Sequence, residues 1–125
     1  MSAEEKAYRE IEALLNTMAD VYLGRKKGAR FTFTFELTSE MERQEVELLC
    51  LSERSRNSLR RAGITTIAEL ARFAQDSSNL KTIRNCGSKS VAEIMEKLFL
   101  LNYCNLRPGE REKFIAETIL RNGDV

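Results

Sequence analysis

Apolar positions recur with helical spacing along most of this chain, and one short stretch alternates instead. Tyr8, Ile11, Leu15, Met18 and Tyr22 fall three and four residues apart, with Leu14 and Val21 widening the stripe. That spacing predicts an amphipathic helix over residues 2–23. Ser2 and Glu5 form a capping-box pair at its start, and Gly24, followed by Arg25, Lys26 and Lys27, marks its end. Such a stripe covers a core or, being about three heptads long, makes a self-association seam. Residues 30–37 then alternate strictly, with Phe31, Phe33, Phe35 and Leu37 on one face and Thr32, Thr34 and Glu36 on the other. Period two predicts a β-strand. A lone strand leaves its backbone groups unpaired. A partner strand is therefore expected: the same strand of a second copy, giving a homodimer through residues 8–37, or another protein.

Helical spacing returns afterwards. Ser39 and Glu42 fit a capping box and predict a short helix near 39–47, while Val46, Leu49 and Leu51 anchor the next segment. Ser52 caps a helix over about 53–61, and Ala62-Gly63-Ile64 makes a tight turn. Thr66 and Glu69 open a helix over about 66–74, Asp76 caps a short one near 76–80, and a longer one runs from about 88 to 101 after a turn at Gly87. Leu59, Ile64, Ile67, Leu70, Leu80, Ile83, Val91, Ile94 and Leu98 supply the core. In the tail, Pro108 suits a first helical position, Phe114, Ile115, Thr118 and Ile119 form a stripe, and Gly123 ends it. Phe99, Leu100, Leu101 and Tyr103 give that helix a surface to pack on. The fold class predicted is mainly α: a compact helical bundle with helix-hairpin-helix-like turns, plus an N-terminal helix and one β-strand.

Composition narrows the chemistry. At 125 residues, 42% hydrophobic and 31% charged, the chain suits one ordinary domain with an appendage, and one Pro and six Gly argue against low complexity. No apolar run approaches the ~20 residues that cross a bilayer, and the acidic, helical start is no secretory signal. Cys50, Cys86 and Cys104 are widely spaced, with no Cys-x-x-Cys pair and no histidine in the sequence. No zinc site is expected, and the thiols read as small buried residues in a reducing cytoplasm. Without histidine, a paired nucleophile or a phosphate loop, no enzyme and no cofactor is expected.

Charge supplies the functional pointer. The net charge of +1 conceals an asymmetry: residues 54–97 hold nine Lys and Arg against four Asp and Glu, a balance of +5, whereas residues 36–53 hold Arg43 against six Glu, a balance of −5. Two phrases concentrate the basic character, Arg54-Ser55-Arg56-Asn57-Ser58-Leu59 and Arg84-Asn85-Cys86-Gly87-Ser88-Lys89-Ser90. Both sit at predicted helix starts, where backbone N–H groups point outward, and that pairing favours a phosphate backbone as partner.

Residues 46–98 resemble the C-terminal domain of the bacterial RNA polymerase alpha subunit. In that family a leucine pair precedes an Arg-Ser-x-Asn-(Cys/Ser)-Leu phrase, matched by Leu49, Leu51, Arg54, Ser55, Asn57, Ser58 and Leu59. An Ile and an x-x-Leu helix come next, matched by Ile64, Ile67, Glu69 and Leu70. The family's Asn-hydrophobic-Gly-Lys-Lys-Ser-Leu-x-Glu-Ile is matched by Asn85 through Ile94. The resemblance implies a non-enzymatic, cytoplasmic module that docks double-stranded DNA at A/T-rich minor grooves. Arg54 would enter the groove, where A/T tracts concentrate negative potential. Asn57 and Ser58 would bond phosphates or groove edges, Gly87, Lys89 and Ser90 would hold the opposite backbone, and Glu93 would orient the arginine. Together with the helix and strand pattern, this divides the chain into a 1–38 helix-plus-strand appendage, a 39–101 DNA-binding domain and a 102–125 C-terminal helix.

The chain departs from the pattern at Ser88, where the family usually has Lys. Arg56, replacing a small residue, would restore that charge. The connection from Leu70 to Gly87 is longer than usual and lacks a Pro before the second phrase. The large assembly domain has no counterpart, which implies a free-standing relative. Two rival readings remain: an adaptor contacting a sigma factor, an activator or RNA polymerase itself, and a nonspecific helix-hairpin-helix DNA binder without A/T preference.

Overall fold

One long helix organises the molecule. The computed structural model describes residues 2–23, 31–74, 77–84 and 86–122, and within them the helices are α1 (Ala3–Tyr22), α2 (Glu53–Arg61), α3 (Ile67–Phe73), α4 (Ser77–Lys81), α5 (Ser88–Asn105) and α6 (Pro108–Asn122). The stop at Gly24, the basic run Arg25–Lys27, Arg30, the Asp76 cap, Asn85 and Gly123 lie outside those residues. Val91, Ile94, Met95, Leu98, Phe99 and Asn102 of α5 are buried at three- and four-residue spacing. α1, α2 and α4 pack against this helix, and α1 also meets α6. All nine predicted core residues, from Leu59 to Leu98, are buried in one cluster that also takes in Leu14, Met18, Phe31, Phe114 and Ile115. Each such side chain removed from water stabilises by about 1.5–3 kcal/mol.

Local signals explain most boundaries. Ser2 Oγ accepts from Glu5 N–H, and Thr66 Oγ1 from Glu69 N–H. α2 ends in a Schellman motif: Ile64 N–H bonds Leu59 C=O and Gly63 N–H bonds Arg60 C=O, with Gly63 at φ +78°. The last carbonyls of α5 meet Arg111, whose Nε reaches those of Tyr103 and Leu106 and whose Nη2 reaches that of Cys104. In α1 the buried stripe is Leu14, Met18 and Tyr22, while Tyr8 is 70% exposed. The predicted seam thus stops short of its first residue. Cys86 is buried, but Cys50 and Cys104 are exposed, against expectation.

The helix expected near 39–47 is replaced by two 3₁₀ turns, Met41–Arg43 and Val46–Leu49. Between them the backbone is drawn sideways onto the turn before α3. Val46 N–H bonds Thr65 C=O and Ile67 N–H bonds Gln44 C=O, flanking an antiparallel bridge of Glu45 with Thr66.

The predicted β-strand also needs correcting. Residues 31–38 are extended and the alternation holds: Phe31 is buried, Phe33, Phe35 and Leu37 are half-buried, and Thr32, Thr34 and Glu36 are exposed. Yet no sheet forms among the described residues. Two buried asparagines take the place of a neighbouring strand on one edge. Asn122 Oδ1 accepts from Thr32 N–H at 3.0 Å while its Nδ2 donates to Thr32 C=O at 2.9 Å. Asn102 Oδ1 accepts from Glu36 N–H at 2.9 Å while its Nδ2 donates to Thr34 C=O at 3.1 Å. A primary amide carries the same donor–acceptor pair as a peptide unit, so this edge requires no second copy. Tyr22 Oη bonds Phe31 C=O, and Phe33 and Phe31 stack edge-on against Phe99. Amide hydrogen exchange is expected to be slow at Thr32 and Glu36 and fast at Phe33 and Phe35; equal rates at all four would remove the asparagine clamp.

Candidate nucleic-acid interface

The two basic phrases meet at the starts of α2 and α5, and one carboxylate holds them together. Ser52 is the N-cap of α2, its Oγ accepting from Ser55 N–H. Glu93, on the second turn of α5, accepts from Ser52 N–H at 2.9 Å, from Ser52 Oγ at 2.8 Å and from Ser55 Oγ. Burial pushes the Glu93 carboxyl up. The hydrogen bonds from Ser55 and Ser52 and the nearby Lys97 ammonium outweigh it, and the net shift is below the ordinary 4.5. Glu93 thus reaches the two serines that flank Arg54 rather than its guanidinium. Arg54 makes no ion pair among the described residues, and Glu93 fixes the turn that carries it.

α5 begins at Gly87, which has no side chain to cap the helix. Val91 N–H is the first to find a backbone acceptor, Gly87 C=O, and the N–H groups of Ser88, Lys89 and Ser90 have no acceptor among the described residues, which leaves them available to an anion. Gly87 has φ −77°, so its backbone needs no glycine, and an added Cβ would meet nothing within 4 Å. The sharp turn expected there is not what the residue provides; Gly63 fills that role instead. What Gly87 leaves is open access to the helix start.

Between these two helix starts lies a cleft of about 510 Å³ lined by Ser52, Arg54, Gly87, Ser88, Lys89, Ser90 and Glu93. Arg54 and Lys89 are exposed and share it. Five of the seven residues predicted to contact DNA thus converge: Arg54, Gly87, Lys89, Ser90 and Glu93. Asn57 is half-buried and does not line the cleft. Ser58 is 2% exposed, and its hydroxyl donates to Arg54 C=O at 3.0 Å, so it lies beneath the helix rather than on the groove. Arg56, expected to restore the charge missing at Ser88, is half-buried with its Nε enclosed and without an acceptor among the described residues. Nothing in the sequence marks Ser55 as a partner of Glu93, and Ser52 is legible there only as a cap; the 41 residues from Ser52 to Glu93 leave no periodic trace of their bond.

The family profile of the bacterial RNA polymerase alpha C-terminal domain matches residues 35–99. The protein belongs to this family. The DNA-directed RNA polymerase subunit alpha of Mesomycoplasma hyopneumoniae strain 7448 is 42% identical over 101 residues, covering 78% of this chain and 29% of that one. The same subunit of a Nitratiruptor species is 42% identical over 83 residues, 66% of this chain and 24% of the relative. That of Aquifex aeolicus is 48% identical over 56 residues, 45% and 17% respectively. The sequence thus spans under a third of the length of these relatives. No solved structure is matched with significance. The match to the alpha C-terminal domain contains both basic phrases and the whole cleft, whereas α1, α6 and both clamp asparagines fall outside it.

Because the Glu93 pKa is lowered on folding, its stabilising contribution is fully present above the ordinary 4.5 and is lost as pH falls through the folded value. Glu93→Gln is expected to lower stability at neutral pH and to flatten the fall below about pH 4.5. Parallel stability curves for the two proteins in acid would show that Glu93 carries none of that dependence.

Proposed function

We propose that this protein is a transcription-related DNA-binding module that grips a duplex at the α2–α5 cleft. The carrying observation is that Arg54 and Lys89 share one open cleft with the uncapped start of α5. In this reading the free N–H groups of Ser88, Lys89 and Ser90, together with the Lys89 ammonium, hold a phosphate. Arg54 enters the adjoining minor groove, where narrow A/T tracts attract an unpaired guanidinium. Glu93 acts through Ser52 and Ser55 as a positioning residue, and no bond of the DNA is broken. Kinship with RNA polymerase alpha subunits supports a place beside polymerase at promoters.

Fluorescence anisotropy with labelled A/T-rich and G/C-rich duplexes over a salt series tests this. Binding should favour the A/T-rich duplex and weaken steeply with salt, and Lys89→Ala should reduce the slope of log K against log salt by about one. Equal binding to both duplexes would leave a nonspecific helix-hairpin-helix binder. No binding to either would leave the protein-interaction adaptor.

A further inference from the structure

We propose that the second edge of residues 31–37, the one facing α3, receives an extended segment of a partner protein by strand addition. Consecutive residues of an extended backbone turn their N–H and C=O groups to opposite edges. Thr32, Thr34 and Glu36 address the two asparagines. Phe33 and Phe35 face the other way, and neither backbone group of either residue makes a hydrogen bond among the described residues. A cavity of about 290 Å³ runs along that edge, with Phe33, Phe35, Ala71, Met95 and Leu98 among its walls and Arg72 the only charged lining residue among the described residues. Two residues with unbonded N–H and C=O groups at a ladder's spacing over an apolar floor are what an added strand satisfies: its backbone pairs in register and its alternate side chains point down.

The register describes the occupant. The partner residues opposite Phe33 and Phe35 lie on the same face as those rings, so both carry apolar side chains, with one outward residue between them. The exposed Arg72 guanidinium selects an acidic residue beside this apolar-x-apolar core. A second copy of this protein fits less well. Its own 31–37 segment has one edge taken by Asn102 and Asn122 and the other beside its own α3, so two copies would present recessed edges to each other. The groove shares no lining residue with the α2–α5 cleft, and its occupancy stands or falls apart from DNA binding.

The test titrates the isotopically labelled full-length protein with a short fluorescein-tagged peptide containing Val-Thr-Val flanked by Glu. The expected result is downfield shifts and new exchange protection at the Phe33 and Phe35 amides, about fivefold weaker binding on Arg72→Glu, and no binding by a peptide with Pro for both Val. Unmoved Phe33 and Phe35 amides at the highest peptide concentration, or equal binding by the Pro peptide, would overturn the proposal. So would a peptide-free protein that is dimeric by light scattering with those amides already protected, since the edge would then belong to a second copy.

Discussion

Arg54→Ala is expected to lower affinity for an A/T-rich duplex by roughly 1–3 kcal/mol, about five- to more than a hundredfold, while leaving the melting temperature nearly unchanged. Arg54 is exposed on the first turn of α2 and makes no ion pair among the described residues. Its removal therefore breaks nothing inside the protein, and alanine is a better helix former. The Glu93 bonds to Ser52 and Ser55 remain, so the turn keeps its position and only the cation is lost. Arg54→Lys separates the two parts of the side chain's work. It keeps the charge but not the planar fork, so a groove-inserted guanidinium predicts a loss close to that of alanine, whereas a simple phosphate contact predicts near-full rescue. Anisotropy at moderate salt, with a thermal melt of each variant, measures both. An unchanged duplex affinity for Arg54→Ala would take the cleft out of DNA recognition.

How much of the structure could be read from the sequence depends on how local the cause is. α2 runs from Glu53 to Arg61, as the Ser52 cap and the Ala62-Gly63-Ile64 turn require. Both signals lie within a few residues of the ends they set. The core was legible because helical periodicity reports which face is buried. The site was half legible. Two helix starts could be recognised as basic and polar, but whether they meet depends on how α2 lies on α5, and the bond that fixes this joins residues 41 apart. The burial of Ser58 was not legible because its position in a matched phrase says nothing of which way it faces; its spacing from Ser55, also buried, was the available hint. The strand was misread for a clearer reason. Period two reports an extended backbone with one face buried, and carries no information about what satisfies its edges. The only trace of the clamp was a lone Asn102 in the apolar run Phe99-Leu100-Leu101-Asn102-Tyr103.

That residue carries the largest expected effect on stability. Asn102 is 1% exposed, and Asn102→Leu keeps the branched outline of the side chain while leaving Glu36 N–H and Thr34 C=O without partners. Each group stranded in a partly buried position costs about 1–3 kcal/mol. A total near 3 kcal/mol lowers the melting temperature of a domain this size by roughly 10 °C. The aromatic contacts do not compensate, because they act on a different variable. Phe31, Phe33, Phe99 and Phe114 press the segment onto the core through area, which is tolerant of sliding. A one-residue slip would turn Phe33 and Phe35 outward, and the two amides, each engaging defined residues, select against it. Asn122→Leu strands the two groups of Thr32 near the end of α6, where fraying lets water reach them, so its effect is smaller. Thermal melts combined with exchange at the Glu36 amide distinguish the outcomes. A variant that melts with the parent and keeps a slow Glu36 amide would show that the aromatic packing alone sets the register.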